Sequence, residues 1–331
     1  MISNAFLQDF NFPLNDSSGN EFTAEEIEKR NAEETTKLND ITREFNEVEE
    51  KIEMCFADLA KVSNWCSYAN EYGVNRTFMS VLNADENFRE KTTRRILPRP
   101  EMLSDFGDPI SAVSQSVIEG LEDWKQSLKD WAQKVWERLK ELIRKLLVFL
   151  RLKEANTGDR INRILKQLEK IGDVTVPEVE MIPETSLRDI DKEVKKAMDD
   201  IGNKNISYQD VKTQINSLTQ ISTQTTKMNA SCRNVSTSDI KNTYIKWIRE
   251  YETNIVKTRD ILGRLEKEVD DLRRSAQGVG VTDESLIRAQ SKQLTERLRL
   301  ANNLLGSQTK YQSAAFVSIG RWITEARKIK K

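Results

Sequence analysis

Between residues 38 and 66 apolar side chains recur at steps of three and four. Leu38, Ile41, Phe45, Val48, Ile52, Cys55, Leu59, Val62 and Cys66 therefore share one face of a helix. A second ladder runs through Val117, Leu121, Trp124, Leu128, Trp131, Val135, Leu139, Leu142, Leu146 and Phe149, with one stutter after Trp131. A third holds Tyr244, Ile248, Tyr251, Ile255, Thr258, Leu262, Leu265, Val269 and Leu272. Three such ladders predict long helices packed along narrow seams rather than a sheet.

Breakers and caps set the borders. Thr23 with Glu26 reads as a capping box, and the first helix should stop before Gly73. Residues 71–90 read as a turn and a short helix, and Pro98, Pro100, Gly107 and Pro109 break the chain after that helix. A shorter helix is expected around Ile161–Ile171. Residues 172–184, "GDVTVPEVEMIPE", alternate apolar and polar but carry two prolines, so an extended connector is expected in place of a strand. Ser186 with Asp189, and Ser207 with Asp210, each open a helix. A Gly-rich turn with Thr282 as N-cap then leads into a last helix from about 283 to 329, the antiparallel neighbour of the one before it.

The expected fold is all-α, built of elongated antiparallel helical hairpins or a coiled-coil-like bundle, with no substantial β-sheet. Its divisions are an extended N-terminal arm at 1–22, a helical region at 23–171, a linker at 172–184 and a C-terminal bundle at 185–331. The helical region contains the Pro-broken connector at 91–109 and a Trp-rich basic helix at 110–153. The C-terminal bundle contains a hairpin at 240–330. The core seam should hold Leu38, Ile41, Phe45, Val48, Ile52, Leu59, Ile248, Tyr251, Ile255, Leu262, Leu265 and Leu272.

Charge alters this picture more than composition does. The net charge of −1 over 331 residues conceals blocks: residues 1–70 carry 15 acidic and 6 basic side chains, whereas 121–153 carry 5 acidic and 9 basic. Such blocks neutralise each other or meet separate partners. The chain has no histidine, which removes the commonest general base and metal ligand. Its three cysteines form no C-x-x-C pair, and Cys55 and Cys66 lie about 16 Å apart along one helix, beyond disulfide reach. No phosphate-binding loop, nucleophile elbow or metal-ligand spacing occurs, so no catalytic residue, metal or cofactor is expected. The N-terminus lacks a basic region and a sustained apolar run, and "LLVFL" at 146–150 is far too short to span a bilayer. The expectation is a protein neither secreted nor transmembrane.

Residues 122–153 carry three tryptophans and nine basic side chains on one helix. The seam positions of Trp124 and Trp131 favour burial in a bundle. Trp136 lies off the seam, and Lys134, Arg138, Lys140, Arg144, Lys145, Arg151 and Lys153 bracket the apolar face. These ten residues form the candidate interaction face. A basic amphipathic helix of this kind also suits a membrane surface or the phosphates of packaged DNA.

The order of features in 38–153 carries a resemblance. An acidic amphipathic helix ends in "SYANEYGVNRTFMSVLNADENF", a Pro-broken connector comes next, and then "ISAVSQSVIEGLEDWKQSLKDWAQKVWERLKELIRKL". This resembles the internal head proteins of large tailed bacteriophages, which carry a similar Tyr-Gly-Val-x-Arg segment ahead of a Lys- and Trp-rich helix. The resemblance implies a non-enzymatic virion protein, packaged inside the capsid beside DNA or attached to an inner component, and in some cases ejected with the DNA. It implies other virion proteins as partners and a place in the virion interior or the bacterial host cytoplasm. Oligomers are compatible with it. It also implies trimming by a capsid protease, for which "AEE" at 32–34 and "IPE" at 182–184 fit. The alternatives are a helical protein that binds and inhibits a host protein, and a membrane-surface protein acting through helix 117–153.

Overall fold

The computed structural model describes residues 24–85, 100–224, 229–277 and 284–330. The all-α expectation holds. Seven helices carry these residues: α1 (Ala24–Tyr72), α2 (Arg76–Ala84), α3 (Ala112–Ile171), α4 (Glu184–Gly202), α5 (Tyr208–Gln224), α6 (Lys246–Gln277) and α7 (Glu284–Lys330). The only sheet among them pairs β1 (Thr175–Met181) with β2 (Ala230–Ser236), antiparallel. The N-terminal arm, Thr23, residues 91–99 of the Pro-broken connector and Thr282 lie outside the described residues.

Two compact units make up the chain. One takes in the described parts of Met1–Phe45, Lys140–Glu268 and Gln293–Lys331; the other takes in Asn46–Leu139 and Val269–Lys292. Each unit draws on helices from both halves of the sequence. Long helices that pair antiparallel bring distant residues together, and compactness tracks that pairing instead of chain order.

In the first unit, contact order shows how the four long helices run. Glu44, Glu34 and Asn31 of α1 meet Lys145, Lys153 and Arg160 of α3, so these two are antiparallel. Glu266 and Arg259 of α6 meet Arg144 and Glu154 of α3, again in reversed order. Glu268 and Thr258 of α6 meet Arg297 and Gln308 of α7, also in reversed order. Helix α7 is buried along most of its length, with Leu304, Tyr311, Phe316, Ile319 and Trp322 all at 0% exposure. It also joins each of the other three long helices through an amide. Asn302 donates to Thr42 on α1 (3.0 Å), Gln308 to Thr258 on α6 (3.4 Å) and Gln312 to Thr157 on α3 (2.8 Å). Buried polar pairs of this kind penalise any slip along the helix axes, since a slip leaves both members unsatisfied.

Three local expectations are corrected. Residues 175–181 form a strand. Pro177 falls at a gap in the register between Val176↔Val235 and Glu178↔Arg233, opposite Asn234, whose φ is +55°. A residue with no N–H is tolerated where the ladder is already broken. Pro183 lies past the strand and is the N-cap of α4, which starts at Glu184 with no side-chain cap, so Ser186 does not open this helix. The third correction is that α3 runs unbroken from Ala112 to Ile171. Thr157 and Arg160 face the core there and find partners, which offsets the roughly 1 kcal/mol cost of Gly158 inside a helix. The Ser207–Asp210 opening of α5 forms as read, with Asp210 N–H donating to Ser207 Oγ at 3.1 Å.

The second unit is built on α1 after Phe45, α2 and the first part of α3. Cys55, Leu59, Val62 and Cys66 pack against Val117, Leu121, Trp124 and Leu128, with Phe78, Met79 and Leu82 from α2 in the same cluster. Helix α2 is opened by Asn75, whose Oδ1 accepts from Phe78 N–H at 2.8 Å.

Candidate functional site: the basic, tryptophan-bearing helix

The candidate face divides between buried and exposed residues in a way the ladder only partly foretells. In the second unit Trp124 is 3% exposed and lies 6.1 Å from Trp65, ring to ring. Trp131 is half-buried against the same cluster. Trp136, expected off the seam, is instead 2% exposed, with its ring nearly edge-on to Phe56 at 6.3 Å. The stutter explains this. Two successive four-steps, Trp131 to Val135 to Leu139, swing the buried stripe sideways and take in Ala132, Trp136 and Ile143. Lys134 and Arg138 are exposed.

In the first unit the basic residues mostly meet acids of the same chain. Lys145 donates to both carboxylate oxygens of Glu44 at 3.0 Å, and Arg144 reaches Glu266 at 2.7 Å. Lys140 is half-buried and Arg151 exposed. The basic third helix thus pairs with the acidic first helix at Lys145 and with α6 at Arg144. Each exposed pair is worth little, but together they set which helix faces which.

Lys153, by its charge expected on the solvated face, is instead buried. Its side chain is 3% exposed, 3.5 Å from Glu34, itself 4% exposed. Arg160 holds the other oxygen of Glu34 at 3.1 Å and donates to Asn31 Oδ1 at 3.2 Å. The rings of Phe316 and Phe149 lie 5.5 Å from the Arg160 guanidinium and 5.9 Å from the Lys153 ammonium. Two cations share one carboxylate. Burial therefore lowers the Lys153 pKa from 10.5 to about 8, with Glu34 opposing that shift and Arg160 adding to it. The signal for this cluster is present in the phase of the ladders. Leu38 extends backwards through Glu34, Asn31 and Ile27, and Phe149 forwards through Lys153, Thr157 and Arg160. Polar residues at those positions hide the continuation.

The cysteines are poor nucleophiles. Burial, foremost, pushes the thiols of Cys55 and Cys66 up to about 12, and Cys55 Sγ lies 3.6 Å from the carbonyl of Leu128. Among the described residues no group of three or more Cys, Asp or Glu side chains is placed to hold a metal ion, and no helix is long and apolar enough to cross a membrane. The residues named as the core seam, from Leu38 to Leu59 on α1 and from Ile248 to Leu272 on α6, are all buried. In the two protease-type motifs Glu34 and Ile182 are buried, whereas Ala32, Glu33 and Glu184 are exposed.

No family model, curated protein or solved structure matches this chain.

Proposed function

We propose that this protein is a non-enzymatic structural component of a tailed-phage particle, held inside the capsid or on an inner component. The supporting observation is that the stretch resembling internal head proteins, 38–153, supplies two helices that pack against each other in antiparallel order, with tryptophans at the core of the pairing. Residues of this stretch are used for cohesion: acidic α1 meets basic α3, and Arg144 and Lys145 are engaged by carboxylates. That leaves the helix fewer cations for DNA phosphates or an anionic membrane, and it favours packing over nucleic-acid binding as its main work. Ejection with DNA would require these helix pairs to separate and re-form outside the particle.

Mass spectrometry of purified virions and of DNA-free ghosts tests the reading. The full chain should be present in both at a fixed ratio to the capsid protein. Its absence from particles, together with recovery in a stoichiometric complex with a host protein, would replace this reading by the host-directed one.

A further inference from the structure

Phe106 and Ile110 stand 87% and 81% exposed, far more than a core-forming side chain tolerates, and Tyr72 stands at 53%. A single apolar residue in water is ordinary, but several gathered in one place mark a surface that meets something. The fold brings together the backbone segments that carry them. Helix α1 ends at Tyr72, Gly73 turns the chain at φ +71°, and the backbone of 107–109 is laid directly against that turn. A Cβ on Gly73 would collide with Asp108, and one on Gly107 with the carbonyl of Tyr72. Only paired glycines allow this approach, and it sets the loop bearing Phe106 beside Tyr72. Tyr68 continues the aromatic surface inward, 5.1 Å from Tyr72 and stacked at 4.9 Å on the buried Phe78.

The loop is also held firmly. Arg76 N–H donates to Ser104 O at 3.1 Å, and its guanidinium to Leu103 O at 3.2 Å, with Asp105 at 3.5 Å. Ser104 Oγ donates to Phe106 O. On the far side Ser111 Oγ donates to Asp108 O at 3.0 Å, and Val74 N–H to Ser114 Oγ at 2.9 Å. Apolar side chains on a loop ordered in advance have already met the entropic cost that binding would otherwise impose. Among the described residues the charges that border it along the chain are mostly acidic: Glu71, Asp105 and Asp108 are exposed, and Arg76 is engaged by Asp105. Such a rim repels phosphate and anionic lipid and attracts cations.

We propose that Tyr72, Phe106 and Ile110 with their acidic rim are a docking surface for a basic, apolar-faced segment of a partner protein. The test uses the full chain and a labelled amphipathic Leu/Lys helical peptide, monitored by fluorescence anisotropy, with a Leu/Glu peptide of the same length as control. The Leu/Lys peptide should bind saturably, one per chain, and weaken as salt rises, while the Leu/Glu peptide should not bind. Phe106→Asp with Ile110→Asp should weaken binding about tenfold or more, and Asp105→Asn with Asp108→Asn should weaken it as well. All four positions are solvent-exposed, so the helical circular dichroism should be unchanged. Three outcomes would overturn the proposal: no saturable binding, equal binding of both peptides, or binding indifferent to the Phe106/Ile110 pair. A self-associated form in sedimentation that this pair dissolves would also overturn it, by assigning the surface to a second copy.

Discussion

At the scale of single residues, Lys153 shows how strongly position overrides type. The same ammonium on the outside of α3 would be a solubilising charge; at 3% side-chain exposure beside Glu34 it becomes part of the interior. The folded chain releases its proton near pH 8, whereas the unfolded chain holds it to about 10.5. Between those values the unfolded state binds more protons, so this group makes stability rise with pH across that window. Urea unfolding at pH 7.5 and pH 9.5 should show the gain in the natural chain and a flattened profile in Lys153→Met. Glu34→Gln should act the other way, costing about 3–5 kcal/mol at neutral pH by leaving two buried cations without their carboxylate. The tryptophans separate by burial in the same manner. Trp124→Ala and Trp136→Ala should each cost about 3–5 kcal/mol in a denaturation series, whereas Lys134→Ala on the exposed side should stay within about 0.5 kcal/mol.

At the scale of elements, the polar partners along α7 do what an all-apolar seam cannot. Leucine ladders slide past one another at little cost, but Asn302, Gln308 and Gln312 each need one particular threonine on one particular neighbour. A double-mutant cycle on the best-formed pair measures this. Gln312→Leu and Thr157→Val should each destabilise by about 1–3 kcal/mol, and the double variant by clearly less than their sum, because an orphaned buried group costs more than an absent pair. Strictly additive losses would show that the amide and the hydroxyl act separately. The strand pair obeys related logic. Pro177 and the left-handed Asn234 sit opposite each other, so one irregularity accommodates the other.

At the scale of the molecule, the second unit buries Trp124 and Trp136, and in the first unit Arg144, Lys145, Lys153 and Arg160 of α3 are paired with carboxylates of the same chain. The intact protein should therefore stay in solution when mixed with anionic vesicles and spun through a density gradient. An isolated peptide of residues 117–153 should float with them, since its Trp and Leu seam then has no partner helix and lies open to the bilayer interface. Flotation of the intact chain would mean that the seam opens readily.

The all-α class and the helix seams were legible in the sequence alone, since a period of three and four over many turns admits no other regular structure. The stop at Gly73 and the Ser207 cap were legible too, because those signals are local: the residues concerned lie within one turn of each other. The burial of Lys153 and Trp136, the pairing of 175–181 with 230–236, and the interleaving of the two units were decided by tertiary structure. Each depends on residues far apart in the chain: Glu34 is more than a hundred positions from Lys153, and Asn234 more than fifty from Pro177. A charged or off-phase side chain is read as exposed until a partner is placed against it, and only packing places that partner. The exposed Phe106 and Ile110 are the converse case, apolar residues whose type suggests a core and whose loop, clasped between two glycines, holds them in water.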